Sequence, residues 1–278
     1  MAAQGRWLPA LALGALAASA AAGSAAAGEV LDRVMTRGVM VMSTDAEYPP
    51  QSSLNSAGEF EGFDIDVGRE IAERLGVDIE FVTPGWEVIT AGQWNGRWDV
   101  SVGSMTPTEA RAEVLDFPAV YYYTPASLTV HEDNRTIATP ADASGKRIGV
   151  GVATTYENYL RRDLTLYGED VAPIEFVIDD AQVQTYETDL NALDDLRLGD
   201  GVRLDAAMTA LPTILEAIEG GYPLKVVGDP LFREPLAVAT EKGDEAWNAR
   251  LAEIIGTMHD DGTLRKLSEK WYGTDLTG

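Results

Sequence analysis

The chain has 278 residues, 45 Asp and Glu against 21 Lys and Arg, a formal net charge of −24 and no Cys. Such a surplus of acid repels nucleic acid and anionic lipid surfaces, which excludes both as partners. Without Cys there is neither a disulfide framework nor a lipid-bearing cysteine, and with only two His the sequence points to no metal and no cofactor.

In chain order, residues 1–28 carry Arg6 as their single charge, then an apolar run over 8–22 and small residues up to Gly28. This is the layout of a secretory signal peptide cut after Ala27, and it implies a soluble protein of a Gram-negative periplasm. A membrane anchor is the rival reading, opposed by the Ala and Gly content and by the lack of a second long apolar run. The remainder is long enough for two lobes of roughly 100–150 residues each.

The first series reads helix 30–37 stopped by Gly38, buried strand 39–43, helix 63–75 with Val67, Ile71 and Leu75 on one face, strand 78–82, helix 86–94 and strand 99–103. That is βαβα order, hence a mostly parallel sheet with helices on both sides. Tyr121-Tyr-Tyr-Thr-Pro-Ala126 then leads into strand 127–130, and a polar stretch over 131–144 separates a second series. It comprises strand 147–150, helix 155–162, strand 174–178, helix 188–198, strand 204–208, helix 211–218 and strand 224–227. Past Gly228-Asp-Pro230, strand 236–240 and helices 244–258 and 262–271 have no sheet of their own to cover, so they return to the first lobe. The expected architecture is α/β with two lobes, 29–125 plus 233–278 and 126–232, joined by crossings near 123–126 and 229–235 that form a hinge.

The most informative stretch is Trp98-Asp-Val-Ser-Val-Gly-Ser-Met-Thr-Pro-Thr-Glu-Ala-Arg111. A strand, a hydroxylated turn and an Arg near the start of an amphipathic helix bring a guanidinium and free N–H groups to the carboxyl end of a strand, where open α/β sheets bind ligands. Arg111 offers paired hydrogen bonds to a carboxylate, Ser104 and Thr106 offer hydroxyls, and the helix adds its dipole. The competing reading is an Arg on a solvated helix face.

The succession Gly38-Val-Met-Val, Tyr48-Pro-Pro, Gly62-Phe-Asp-Ile-Asp-Val, Leu75-Gly, Trp86, Gly96-x-x-Asp99, Met105-Thr-x-Thr-x-x-Arg111, Asp116-Phe117, Lys146-Arg-Ile-Gly-Val, Thr154-Thr155, Asp205-Ala-Ala and Asp261-Gly-Thr-x-x-Lys-x-x-x-Lys-Trp resembles the polar amino-acid-binding proteins of ABC importers, solute-binding family 3. The resemblance implies the two-lobed Venus-flytrap fold and a monomeric periplasmic receptor. Such a receptor closes over a small zwitterionic or anionic solute and docks onto a membrane permease.

Carried over by position, it implies Arg111 and Thr106 on a ligand carboxylate, with Ser104 and Met105 beside them. Thr154 and Thr155 would donate to the same group from the other lobe, after an Ala153 where the family usually has Gly. Tyr48 and Trp86 would be aromatic walls, although Trp86 also reads as core and Tyr48 as a surface turn. Asp45 stands where some relatives touch the ligand's distal polar group.

One departure concerns Ala210, at the position where the family commonly has a carboxylate for the ligand's ammonium. A buried ammonium without a counter-charge is costly. Asp189, Glu187 and Asp45 are the candidate replacements. Otherwise the departure favours a carboxylate whose cationic end is diffuse, a betaine- or ectoine-like solute enclosed by Tyr48, Trp86 and Tyr121–Tyr123. A non-transport accessory or sensor protein, or a dehydratase on the same fold, are the alternative functions. The dehydratase needs a general acid that the segment after Asp205 does not supply.

Overall fold

The computed structural model describes residue 1, residues 28–168 and residues 173–278. The proposed signal peptide falls on residues outside that set, apart from its two end residues. The elements run α1 (Glu29–Arg37), β1 (Val39–Ser43), β2 (Glu47–Tyr48), β3 (Ser52–Leu54), β4 (Phe60–Glu61), α2 (Phe63–Leu75), β5 (Asp78–Val82), α3 (Trp86–Thr90), β6 (Val100–Met105), α4 (Glu109–Ala112) and β7 (Leu115–His131). After a 3-10 turn at Pro140–Ala143 come β8 (Arg147–Gly151), α5 (Thr155–Leu160), β9 (Gln182–Tyr186), α6 (Asp189–Leu196), β10 (Ala206–Ala210), α7 (Leu211–Glu219), β11 (Leu224–Glu241), α8 (Glu245–Asp260) and α9 (Thr263–Tyr272).

Helix α2 illustrates how sequence becomes architecture. Phe63, Ile65, Val67, Ile71 and Leu75 are buried, and Gly76 in the left-handed region ends the helix with its N–H on the last carbonyls. Each such fully buried side chain contributes about 1.5–3 kcal/mol. They join Met40, Val100 and Val102 of the sheet in one core, onto which α8 and α9 lay Trp247, Leu251, Ile255, Met258 and Leu264. A second core gathers Leu128, Val130, Ile148, Val150, Tyr159 and Met208. This is the two-lobed flytrap arrangement.

One curled eight-stranded sheet in the order β5-β1-β6-β11-β7-β10-β8-β9 runs through both lobes. It is mixed. β1 is parallel to β5 and β6, and β8 to β9 and β10, while β11 and β7 are antiparallel to each other and to their outer neighbours. These two long strands are the crossings. Tyr123 pairs with Pro235, Thr124 with Glu234 and Ala126 with Phe232. Pro230 falls in the register shift between Val227 and Phe232 of β11, a bulge that accommodates the missing N–H, whereas Pro125 pairs with Arg233 and Pro235 with Tyr123 in regular register.

Two further expectations fail. The segment 174–178 forms no strand. Its backbone is held by a side chain instead: the Tyr159 hydroxyl donates to Glu175 O and accepts from Val177 N, each at 3.0 Å. The helix carrying Arg111 is a single turn, α4, so its dipole adds little. Among the described residues no helix is long and apolar enough to cross a membrane.

Candidate functional site

Strand β6 stops at Met105, and the turn after it aims Arg111 into a cleft between the two cores, enclosing about 530 Å³ of empty space with its mouth included. Thr108 fixes this turn by capping α4, its Oγ1 accepting from Arg111 N at 3.2 Å. Arg111 is buried. Its Nη1 donates to Thr106 O at 2.8 Å on its own lobe, and its Nη2 donates to Ala153 O at 2.8 Å on the other. The Trp86 ring lies 5.4 Å from the guanidinium carbon, and Trp86 Nε1 donates to the same Ala153 O at 3.2 Å. The lobes therefore meet at this carbonyl, as they also do where Gln51 Nε2 donates to Thr213 Oγ1 at 3.2 Å and Tyr167 N donates to Pro107 O at 3.0 Å. Burial pulls the Arg111 pKa down to about 10, the Glu234 carboxylate opposing the fall, so the group remains a cation at neutral pH. Two of its five N–H groups are thus engaged within the protein.

The hydroxyls expected around Arg111 line the cleft but are committed elsewhere. Ser104, held at φ 55°, donates its hydroxyl to Asp64 Oδ2 at 2.7 Å, and the Tyr122 hydroxyl lies 2.6 Å from Ser104 Oγ. Thr106 Oγ1 donates to Glu234 Oε1 at 2.9 Å, and Thr155 Oγ1 donates to that oxygen too. Thr154 caps α5, donating to Gly151 O at 2.7 Å while accepting from Glu157 N. The grip on an anion falls to Arg111 itself, more than the sequence led us to expect.

Other residues depart further. Met105 is fully buried and packs with Trp94, Trp98 and Leu115, away from the cleft. Ala210 is buried in the second core and does not line the cleft. Tyr121 and Tyr122 are fully buried beneath the floor, stacked around Phe63, with the Tyr121 hydroxyl on Asp64 Oδ1 at 2.6 Å; Tyr123 packs against Arg233. No tyrosine cage forms from that run. Tyr48 and Trp86 do line the cleft, with the Tyr48 hydroxyl 3.3 Å from that of Tyr156.

Four carboxylates complete the lining, against the single Arg. Asp189 is buried at the start of α6, its Oδ1 accepting from Gly151 N at 2.7 Å and its Oδ2 from Thr209 Oγ1 at 2.8 Å; burial pushes its pKa up to about 7. A Cβ on Gly151 would stand 2.7 Å from that Oδ1, so any larger residue there must displace the Asp189 carboxylate. Asp45 accepts from Glu47 N at 2.7 Å and is raised by partial burial, while Glu187 is exposed at the rim.

Glu234 was not singled out from the sequence. It lies within the expected crossing 229–235, but its type does not distinguish it from neighbouring Asp229. Only strand pairing reveals that it faces inward, 1% exposed. Its Oε2 makes no hydrogen bond. Burial is the largest influence on its carboxyl and raises the pKa, against the Thr155, Tyr156 and Thr106 hydroxyls and the Arg111 charge. The premise behind a betaine-like solute, a cleft short of counter-charge, does not hold.

The chain is 31% identical over 250 residues to the L-cystine-binding protein TcyJ of Escherichia coli (strain K12), covering 89% of this chain and 88% of that protein. It is 27% identical to the L-arginine-binding protein of Pseudomonas aeruginosa, covering 84% and 88%. Among solved structures, the ancestral amino acid-binding protein AncCDT-1, a precursor of cyclohexadienyl dehydratase, superposes with a TM-score of 0.75 at 30% identity, covering 87% of this chain and 99% of that one. An ancestral arginine-binding protein bound to arginine gives 0.74 at 28%, covering 85% and 99%. Residues 40–274 match the bacterial extracellular solute-binding proteins, family 3, and the chain belongs to that family.

Proposed function

We propose that the chain is the periplasmic receptor of an ABC importer. It captures an α-amino acid by closure of lobes 29–125 plus 233–278 and 126–232, and delivers it to a membrane permease. The observation that carries this reading is the buried Arg111 guanidinium, reaching across the cleft to Ala153 O with further donors still free. A carboxylate set between the lobes meets Arg111 of the first and the Thr154–Thr155 wall of the second together only in the closed form, which gives it the differential affinity that shifts the population. The relatives' names, cystine- and arginine-binding, agree with an amino acid.

One cation against four acids sets the selectivity. Zwitterions with neutral or cationic side chains suit the cleft, whereas a second ligand carboxylate meets like charge. Titration calorimetry of the refolded, ligand-stripped protein against L-cystine, L-arginine, L-glutamine, L-glutamate, glycine betaine and ectoine tests this. Binding of a neutral or cationic amino acid with L-glutamate excluded is expected; binding of betaine or ectoine alone would overturn it.

A dehydratase is the second reading. Glu234, a buried acid with a raised pKa, is the observation that favours it. Incubation with a cyclohexadienyl acid while following aromatic absorbance separates the two, and no rise is expected of a receptor.

A further inference from the structure

The four cleft acids are not equivalent. Asp189 has both oxygens engaged by its own lobe, through Gly151 N and Thr209 Oγ1. Asp45 is tied to Glu47 N, and Glu187 is exposed at the rim where water competes. Glu234 alone combines near-complete burial with an oxygen, Oε2, that has no donor in hydrogen-bonding geometry, although the Tyr156 hydroxyl stands near enough to lower the carboxyl's pKa. A buried carboxylate oxygen without a donor is costly, and a ligand that supplies one removes the cost.

Its position relative to Arg111 specifies the donor. Arg111 Nη1 donates to the carbonyl of Thr106 at 2.8 Å, while the hydroxyl of that same Thr106 donates to Glu234 Oε1 at 2.9 Å. One residue thus holds the cation by its backbone and the anion by its side chain, yet Arg111 and Glu234 make no direct ion pair. Both groups line the same cleft, so it presents one cation and one anion joined only through Thr106. We infer that Glu234 is the receptor for the ligand's α-ammonium, opposite Arg111 on the carboxylate. Ala210, buried and uncharged, takes no part.

The placement also links recognition to closure. Glu234 belongs to neither lobe's own helices but to crossing strand β11, opposite Thr124 of β7. Its Oε1 gathers Thr106 from the first lobe and Thr155 from the second. An ammonium on Oε2 is therefore bound at the hinge by a group that both lobes already hold. Burial raises the Glu234 pKa, and an adjacent cation favours the ionised form, so the ammonium strengthens the carboxylate that receives it.

This inference rests on the amino-acid reading above, and its test separates the two. The wild-type protein and the isosteric variants Glu234→Gln and Asp189→Asn are stripped of ligand and titrated with the twenty standard L-amino acids and L-cystine. The tightest binder is then compared with its des-amino carboxylic acid. The wild type should prefer the amine by roughly 30-fold or more, the fold-change expected when one partner of a buried charge pair is lost. Glu234→Gln should lose that preference, and Asp189→Asn, whose carboxylate oxygens are engaged by Gly151 N and Thr209 Oγ1, should lose clearly less of it than Glu234→Gln does. Should Glu234→Gln fail to fold, the wild-type preference for the amine decides alone, and equal affinity for the two compounds would overturn the inference. A Glu234→Gln protein that keeps wild-type affinity, or loss confined to Asp189→Asn, overturns the ammonium assignment and leaves the receptor standing. Wild type that binds no amino acid overturns both.

Discussion

Replacing Asp64 by asparagine isolates the electrostatic cost of the network beneath the cleft floor. Asp64 is fully buried, its Oδ1 accepting from the Tyr121 hydroxyl at 2.6 Å and its Oδ2 from Ser104 Oγ at 2.7 Å. Burial pushes its pKa from the ordinary 3.8 to about 7, against the pull of both hydroxyls. At about 1.4 kcal/mol for each tenfold change, the ionised form is disfavoured in the fold by about 4 kcal/mol. Because the folded pKa lies above the unfolded one, the contribution is fully present below about pH 4, falls as pH rises toward 7, and levels off beyond. Urea unfolding of wild type and Asp64→Asn at half-unit steps from pH 4 to 8 reads this directly. The difference between the two proteins cancels the general relief of negative charge by acid. Wild-type stability minus that of the variant should decline by about 4 kcal/mol across the range, with the variant the equal or better of the two near pH 7.5. A constant difference at every pH would refute a buried, ionisable Asp64.

Asp189→Asn should remove a similar decline for the same reason, and in the double variant the two should add, since the carboxylates sit on different helices, α2 and α6, and share no hydrogen-bond partner. Gly62→Ala should destabilise by about 1–3 kcal/mol or more in thermal unfolding, because φ is 131° and a Cβ would stand 2.2 Å from Gln51 O. Trp86→Phe keeps an aromatic wall but loses the donor to Ala153 O, so ligand affinity measured by calorimetry should weaken by about 1 kcal/mol; no change would place Trp86 outside the closing contact.

The elements most legible in the sequence are those whose fate is decided locally. Helix 63–75 and strand 78–82 match the observed bounds because an apolar face, a terminating glycine and a short β-branched run suffice. Strand 174–178 has the right composition, but Tyr159 satisfies its backbone, and β9 forms instead from Gln182–Tyr186, which pairs in register with β8. The short strands read at 127–130, 224–227 and 236–240 give way to two long paired strands, β7 and β11, since the cross-lobe ladder is a tertiary feature.

At the site, Arg111, Asp45, Tyr48, Trp86, Thr106, Ser104, Thr154 and Thr155 all reach the cleft lining. What the sequence does not carry is the direction of each hydroxyl. Ser104 turns to Asp64 and Thr155 to Glu234, because buried carboxylates claim the nearest donors. Glu234 escapes notice for the same reason, since an acid in a crossing strand declares its burial only when both lobes surround it.

The most direct measurement is the dissociation constant of Arg111→Ala for the amino acid that wild type binds most tightly, taken by titration calorimetry on protein whose fold is checked by circular dichroism. Among the described residues Arg111 is the sole cation lining the cleft, so its loss should cost about 2–5 kcal/mol, a weakening of roughly 30-fold or more. A folded variant with an unchanged dissociation constant would contradict the carboxylate clamp on which the receptor reading stands.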